Sequence, residues 1–250
     1  MRLAIITAHA QADSLQEATN SWVGEPLFWT PANTDVLAIR KETCPPVFII
    51  NGNSGMLQAY EFGYRHVPDA SILAFFHDDL LVHDQDWVSR VLKEFEDPKV
   101  GLVGFGGALG HGSPELYKVP YDYHQLGRSD FLSNMTDAEN HGKRFTGACD
   151  VAVLDGFSLI VRRELLSRAG GWLATGCNIS YIGYDYWLCC MVRRLGFRIR
   201  LVGVSSTHFG GRTFVRLGIG KDPKHWQQYL DAHRYIYDEF KDVLPYRVPQ

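Results

Sequence analysis

Three metal-competent side chains in a row close an apolar run in Phe75-Phe76-His77-Asp78-Asp79-Leu80-Leu81. Carboxylates are rarely buried unless paired or bound to a metal. An apolar strand that stops in His-Asp-Asp therefore reads as a strand whose carboxyl end opens into a site, where open α/β sheets bind ligands. A solvated loop after a strand is the plainer alternative. The chemistry such a trio suits is holding a divalent cation against substrate phosphates. His208 follows a second apolar run about 130 residues later. A sheet can bring two strand ends together, so His208 and Asp79 could share a metal. Taken alone, His208 reads better as a hydrogen-bonded loop histidine. Gly210-Gly211 after it would let backbone approach a ligand.

Two further stretches carry polar groups at helix starts. Asp185 follows Gly183-Tyr184 at the head of a predicted helix. A carboxylate there is favoured by the helix dipole, so capping explains it on spacing alone. The alternative is a general base that deprotonates an acceptor hydroxyl. Asn53-Ser54-Gly55 precedes another helix and could contact an anion. It lacks a Walker-type lysine and a dinucleotide fingerprint, so a plain strand–helix turn fits equally. Cys189, Cys190 and Met191 read as core, and Arg162-Arg163 and Arg193-Arg194 as solvated or ion-paired faces.

The elements that must position these groups alternate between strand and helix. Apolar runs predict strands at 3–7, 47–50, 71–76, 100–105, 149–154, 156–161 and 198–204, with weaker ones at 26–29 and 36–39. Helices are predicted at 14–22 with Asp13 as N-cap, at 56–66, from 85 or 86 to 96, at 162–169 closed by Gly170-Gly171, at 184–195 and at 223–240. This order predicts an α/β fold with a mostly parallel central sheet flanked by helices. Residues 109–148 show little periodicity and are expected to form a long, mobile loop.

Composition narrows the class. The chain has 250 residues, 46% of them hydrophobic, enough for one large core. A net charge of −3 gives no whole-chain case for nucleic acid or an anionic membrane. Aromatics at 13% suit a surface that stacks sugars or bases. Five cysteines without a pairing pattern suggest a reduced, cytoplasmic protein. The run Met1 to Ile6 is too short for a signal peptide or a membrane span, so no membrane association is expected.

Four segments, in order, resemble the GT-A glycosyltransferases, specifically the large inverting family 2 group. Residues 53–63, Asn-Ser-Gly-Met-Leu-Gln-Ala-Tyr-Glu-Phe-Gly, look like the family's Asn-x-Gly-x-x-x-Ala-x-Asn-x-Gly, with Glu61 for the usual Asn. His77-Asp78-Asp79 stands at the Asp-x-Asp position, followed by Trp87 and by Asp97-Pro98-Lys99-Val100-Gly101 at the expected spacing. Asp155-Gly156-Phe157-Ser158 is similar to the segment lining the donor sugar. Gly183-Tyr184-Asp185, Arg193-Arg194-Leu195-Gly196 and then His208 look like the Gly-Glu-Asp helix and the late metal-binding histidine.

The resemblance implies a GT-A fold over residues 1–212, with 213–250 as a loop and helix completing the same domain. It implies roles as well. Asp79 and His208 would bind a divalent metal, Mn²⁺ or Mg²⁺. Asp185 would be the general base. Thr7, Ala8, Asn53, Gln58, Asp78, Asp155 and Gly156 would line the donor, a nucleoside-diphosphate sugar and foremost a UDP-sugar. Tyr184 and Trp187 replace acidic residues of the base helix and would face the acceptor. His77 departs from the pattern without an assigned role. The segment at 27–30 lacks the Asp that usually contacts the nucleotide base.

Nucleotidyl transfer to sugar phosphates is the competing chemistry, and a non-catalytic nucleotide-sugar-binding module the competing class. The first would release pyrophosphate rather than a nucleoside diphosphate. The second would lack the base or the ligands. The acceptor is open between saccharide, small molecule, protein and a modified nucleic-acid base. Tyr117 to Tyr123 and the segment with Lys221, Lys224, His225 and Trp226 are the stretches that would shape its site.

Overall fold

Continuous apolar runs put the strands in the interior, buried on both faces. The computed structural model describes residues 1–9, 12–23, 36–39, 45–51, 55–67, 69–112, 130–136, 142–175, 183–210 and 222–249. The predicted strand at 26–29, Asn53, Tyr117 to Tyr123, Lys221 and the side chain of His225 lie outside the described residues.

In chain order the strands are β1 Leu3–His9, β2 Val36–Ile39, β3 Val47–Asn51, β4 Ile72–His77, β5 Leu80–Val82, β6 Val100–Gly104, β7 Gly106–Ala108 and β8 Gly110–His111. They continue as β9 Phe131–Ser133, β10 Lys143–Arg144, β11 Ala148–Asp150, β12 Val153–Leu154, β13 Ser158–Arg162, β14 Arg198–Val202, β15 Ser206–His208 and β16 Tyr246–Arg247. The helices are α1 Ala12–Val23, α2 Met56–His66, α3 Trp87–Glu94, α4 Arg163–Arg168, α5 Tyr184–Arg194 and α6 Pro223–Glu239. α1 begins before Asp13, which therefore sits inside the first turn rather than at the N-cap.

Among the described residues, eight strands form one sheet in the order β11-β14-β6-β13-β4-β1-β3-β2. β14, β6, β4, β1 and β3 run one way, while β11, β13 and β2 oppose them. The sheet is thus mixed, with five of its eight strands codirectional. β13 is the interruption in its middle. Running against β4, it starts at the edge where β4 ends, so Asp155-Gly156-Phe157 enters beside His77.

Side chains alternate between faces along β4. Phe75 packs toward Tyr60 of α2 and Trp172, with ring centroids 5.0 and 4.9 Å away. Phe76 packs the other way, against Trp22, Trp87 and Phe105 at 5.4, 5.4 and 5.5 Å. The indoles are tied in as well. Trp22 Nε1 donates to the Leu80 carbonyl and Trp87 Nε1 to the Trp22 carbonyl. Two residues beyond Phe75, His77 shares its face, and that face is the one covered by α2 and α5.

The segment 109–148 departs from the expected irregular loop. Its described residues include β8, β9 and β10, and β9 and β10 join β7 and β12 in a four-stranded sheet, β10-β9-β7-β12. The predicted strand at 149–154 is in fact two strands, β11 in the large sheet and β12 in the small one. The chain end returns to this region. β16 pairs with β8, and Arg247 forks onto Asp130 at 2.9 and 3.0 Å. α6 is capped by Asp222, which accepts from the Lys224 N–H, and opens on Pro223, as expected for that residue at a first helical position.

Candidate active site

The site forms where four chain segments meet at the carboxyl end of β4. Thr7 and Ala8 of β1 lie in register with Phe76 and His77. β5 turns away after Asp78-Asp79 and pairs with β15, which sets His208 opposite Leu80. The Phe209 N–H donates to the Asp79 carbonyl and secures that return. His77 N–H donates to the Phe157 carbonyl, so the chain entering β13 closes the third side. The start of α5 closes the fourth.

His77, Asp79 and His208 converge there, with one ligand atom from each lying within 4.8 Å of the others. His208 Nε2 is 3.3 Å from Asp79 Oδ1 and 3.2 Å from His77 Nδ1. Phe157 stacks on the His208 ring with centroids 4.8 Å apart. On the other side of His77, Nε2 is 2.7 Å from the Tyr184 hydroxyl. Burial, and next the neighbouring His208, lower the pKa of His77 to about 4, which leaves its imidazole neutral near pH 7. A neutral imidazole with one nitrogen engaged by a fixed partner is the form in which histidine binds metals. Two imidazoles and a carboxylate on rigid strand ends suit a divalent cation. The donor set therefore fits the metal expected at Asp79 and His208, and adds His77 to it.

Asp185 stands one residue beyond Tyr184. Its Oδ2 accepts from the Gly156 N–H at 3.1 Å and its Oδ1 from the Tyr186 N–H at 2.9 Å. Burial first, and the charge of Asp155 second, raise its pKa to about 7, against the pull of those two N–H groups. A carboxyl poised near neutrality inside a site is suited to taking a proton. Asp155 is held by its own turn, accepting from the Phe157 N–H while its N–H donates to the Gly106 carbonyl. Gly156 is required by space. A β-carbon there would lie 2.1 Å from the Tyr184 oxygen.

The predicted site residues sort as follows. Asp79, His208, Asp155, Gly156 and Asp185 come together as expected. Asp78 neighbours them, and its charge, with that of Asp79, contributes after burial to the raised pKa of the Tyr60 hydroxyl. Thr7 and Ala8 end β1 on the same edge. Thr7 is fully buried, and its hydroxyl makes no hydrogen bond. Gln58 is exposed in the first turn of α2. The Tyr184 hydroxyl is engaged by His77 Nε2. Trp187 belongs to the apolar core at 3% exposure, because the face of α5 that carries it packs inward. Burial takes it out of the acceptor set. The residue that the motif comparison left without a role is His77. Its place two residues after Phe75, on the same strand face, is the signal that could have found it.

Glu61 also finds its reason. It stands where the family pattern has Asn, is buried, and accepts from the Trp172 N–H at 2.7 Å. Arg65 one turn later neutralises it at 2.6 Å. The carboxylate thus fastens α2 to the turn after α4, where Gly170 and Gly171 take left-handed conformations with φ of 86° and 84°.

No curated protein matches the sequence. GalNAc-T7, solved with UDP, GalNAc and Mn²⁺, is similar over 97% of this chain and 49% of its own, at 13% identity and a TM-score of 0.57. This chain thus spans about half of that protein. The mannosyltransferase PcManGT from Pyrobaculum calidifontis, solved with GDP-Man and Mn²⁺, is similar over 95% of this chain and 70% of its own, at 15% identity and a TM-score of 0.49. The shared architecture is the GT-A fold. Among the described residues no helix is long and apolar enough to cross a membrane. A model described as "Glycosyltransferase like family" matches residues 32–207, which take in β2 and end one residue short of His208, and on that match the chain belongs to this family and is a glycosyltransferase.

Proposed function

We propose that this glycosyltransferase is metal-dependent and inverting, and that it moves a sugar from a nucleoside-diphosphate donor to an acceptor hydroxyl. The observation that carries the reading is Asp185. It is half-buried, held by two backbone N–H groups, raised to about 7, and one residue from the tyrosine bonded to the His77–Asp79–His208 group.

His77, Asp79 and His208 would hold the cation. When bound, it neutralises negative charge on the departing nucleoside diphosphate. Two imidazoles move the preference away from Mg²⁺ and toward a first-row transition-metal divalent, and Mn²⁺ is the ion to try first. Ionised Asp185 takes the proton of the acceptor hydroxyl while that oxygen attacks the anomeric carbon. The Gly156 and Tyr186 N–H groups hold the carboxylate in one orientation as the proton moves onto it. Asp155 and Gly156 flank the sugar side, while Thr7, Ala8 and Asp78 flank the nucleotide side at the ends of β1 and β4. Gln58 joins them from α2, and Asn53 completes the donor set. A UDP-sugar is the first donor to try.

Asp185→Asn keeps the shape and one of the two accepting oxygens but cannot take a proton. It is expected to lower transfer by roughly 10²- to 10⁴-fold while leaving donor binding intact. Transfer at close to the wild-type rate would overturn the assignment.

A further inference from the structure

Two departures from the family pattern, His77 in the strand-end motif and Tyr184 before the base, meet in space. The Tyr184 oxygen is 2.7 Å from His77 Nε2. The tyrosine ring is fixed edge-on between Trp172 and Tyr60, with centroids 6.0 and 6.3 Å away. Its hydroxyl fills the space that a β-carbon at position 156 would claim. The other nitrogen of His77, Nδ1, faces His208 Nε2 inside the three-ligand group. An imidazole offers a lone pair at one nitrogen only when its proton sits on the other. The partner of that second nitrogen selects the tautomer.

We propose that Tyr184 is a positioning residue for His77. Its oxygen accepts from Nε2–H, which turns the Nδ1 lone pair toward the cation and makes His77 the third protein ligand beside Asp79 and His208. The two departures from the family pattern then form one device, a neutral Tyr–His pair standing where the pattern has two carboxylates. The device also joins the two halves of the site. Tyr184 precedes Asp185 directly, and its hydroxyl rests against Gly156, whose N–H holds the Asp185 carboxylate. This inference rests on the metal reading above, and its test separates the two.

Mn²⁺ is titrated into the full chain with UDP present, and in a parallel series with GDP, while free ion is followed by electron paramagnetic resonance. Wild type must bind Mn²⁺ more tightly than Asp79→Asn; equal affinities in both series would sink the metal reading itself. Given that difference, Tyr184→Phe is expected to bind Mn²⁺ roughly 10- to 100-fold more weakly than wild type. His77→Ala should weaken binding too, and adding Tyr184→Phe to it should cost nothing more, because the tyrosine acts through the histidine. The visible spectrum of the Co²⁺-loaded protein gives a readout that follows ligand geometry even if Tyr184→Phe is less stable, and its bands should shift. Wild-type affinity and spectrum in Tyr184→Phe, or the same further loss in the His77→Ala background, would overturn the positioning role.

Discussion

The proposed base Asp185 must be shielded enough from water to hold a proton firmly and ionised to accept one, and the two demands oppose each other. Burial and Asp155 raise its pKa to about 7, so the proposed base is half ionised near neutrality. Transfer should therefore rise with pH through about 7 and level off above it, since only the carboxylate can accept the proton. The sign for stability is the reverse. Between the ordinary value of 3.8 and about 7, the unfolded chain loses this proton while the folded chain keeps it, so the fold loses stability as pH rises across that window. Asp185→Asn should lack that component. Unfolding curves of both proteins from pH 4 to 8 check it, and parallel pH profiles would count against a half-buried, raised Asp185. At this scale Asp79, His208 and Asp185 were legible, because each follows a strand or opens a helix at the family's spacing. The partnership of His77 with Tyr184 was not, because 107 residues separate them and only the packing of α5 on the sheet brings them together.

Most elements could be read from the chain because each carries its own pattern. α2 and α5 begin where predicted, and α5 starts after Gly183 in a left-handed conformation with φ of 78°. β4 is apolar from Ile72 to Phe76 because both its faces are covered there. What the pattern could not show is β13 running against its neighbours, since a buried strand reads alike in either direction. Nor could it show β9 and β10, whose two or three residues are too few for a period and whose partners are distant in sequence. The element-scale prediction concerns Glu61. Glu61→Ala leaves the buried Trp172 N–H without its acceptor, which costs about 1–3 kcal/mol. Urea unfolding should show an earlier midpoint with an unchanged slope. An unmoved midpoint would mean that Glu61 does not fasten α2 to that turn.

The whole molecule gathers its chemistry on one edge of the sheet and closes that edge with its last third. α6 is bound to the end of α5 through Arg194, which pairs with Glu239 and Asp242, and its rings reach the residue after Asp185 through His233 and Tyr186, 5.1 Å apart. The exposed ion pairs contribute little each, so the apolar seam with Ile236 and Phe240 carries this contact. The arrangement leaves Asp185 and the three-ligand group on one edge of the sheet, where the proposed single displacement would set the acceptor on one side of the anomeric carbon and the departing diphosphate on the other. The most direct test is the anomeric configuration of the sugar first released when wild-type protein, Mn²⁺ and a UDP-sugar that raises its melting temperature are followed by proton NMR, with water as acceptor. A configuration opposite to that of the donor is the predicted result. Retention in the first-formed sugar would contradict an Asp185 that activates the incoming hydroxyl for direct attack.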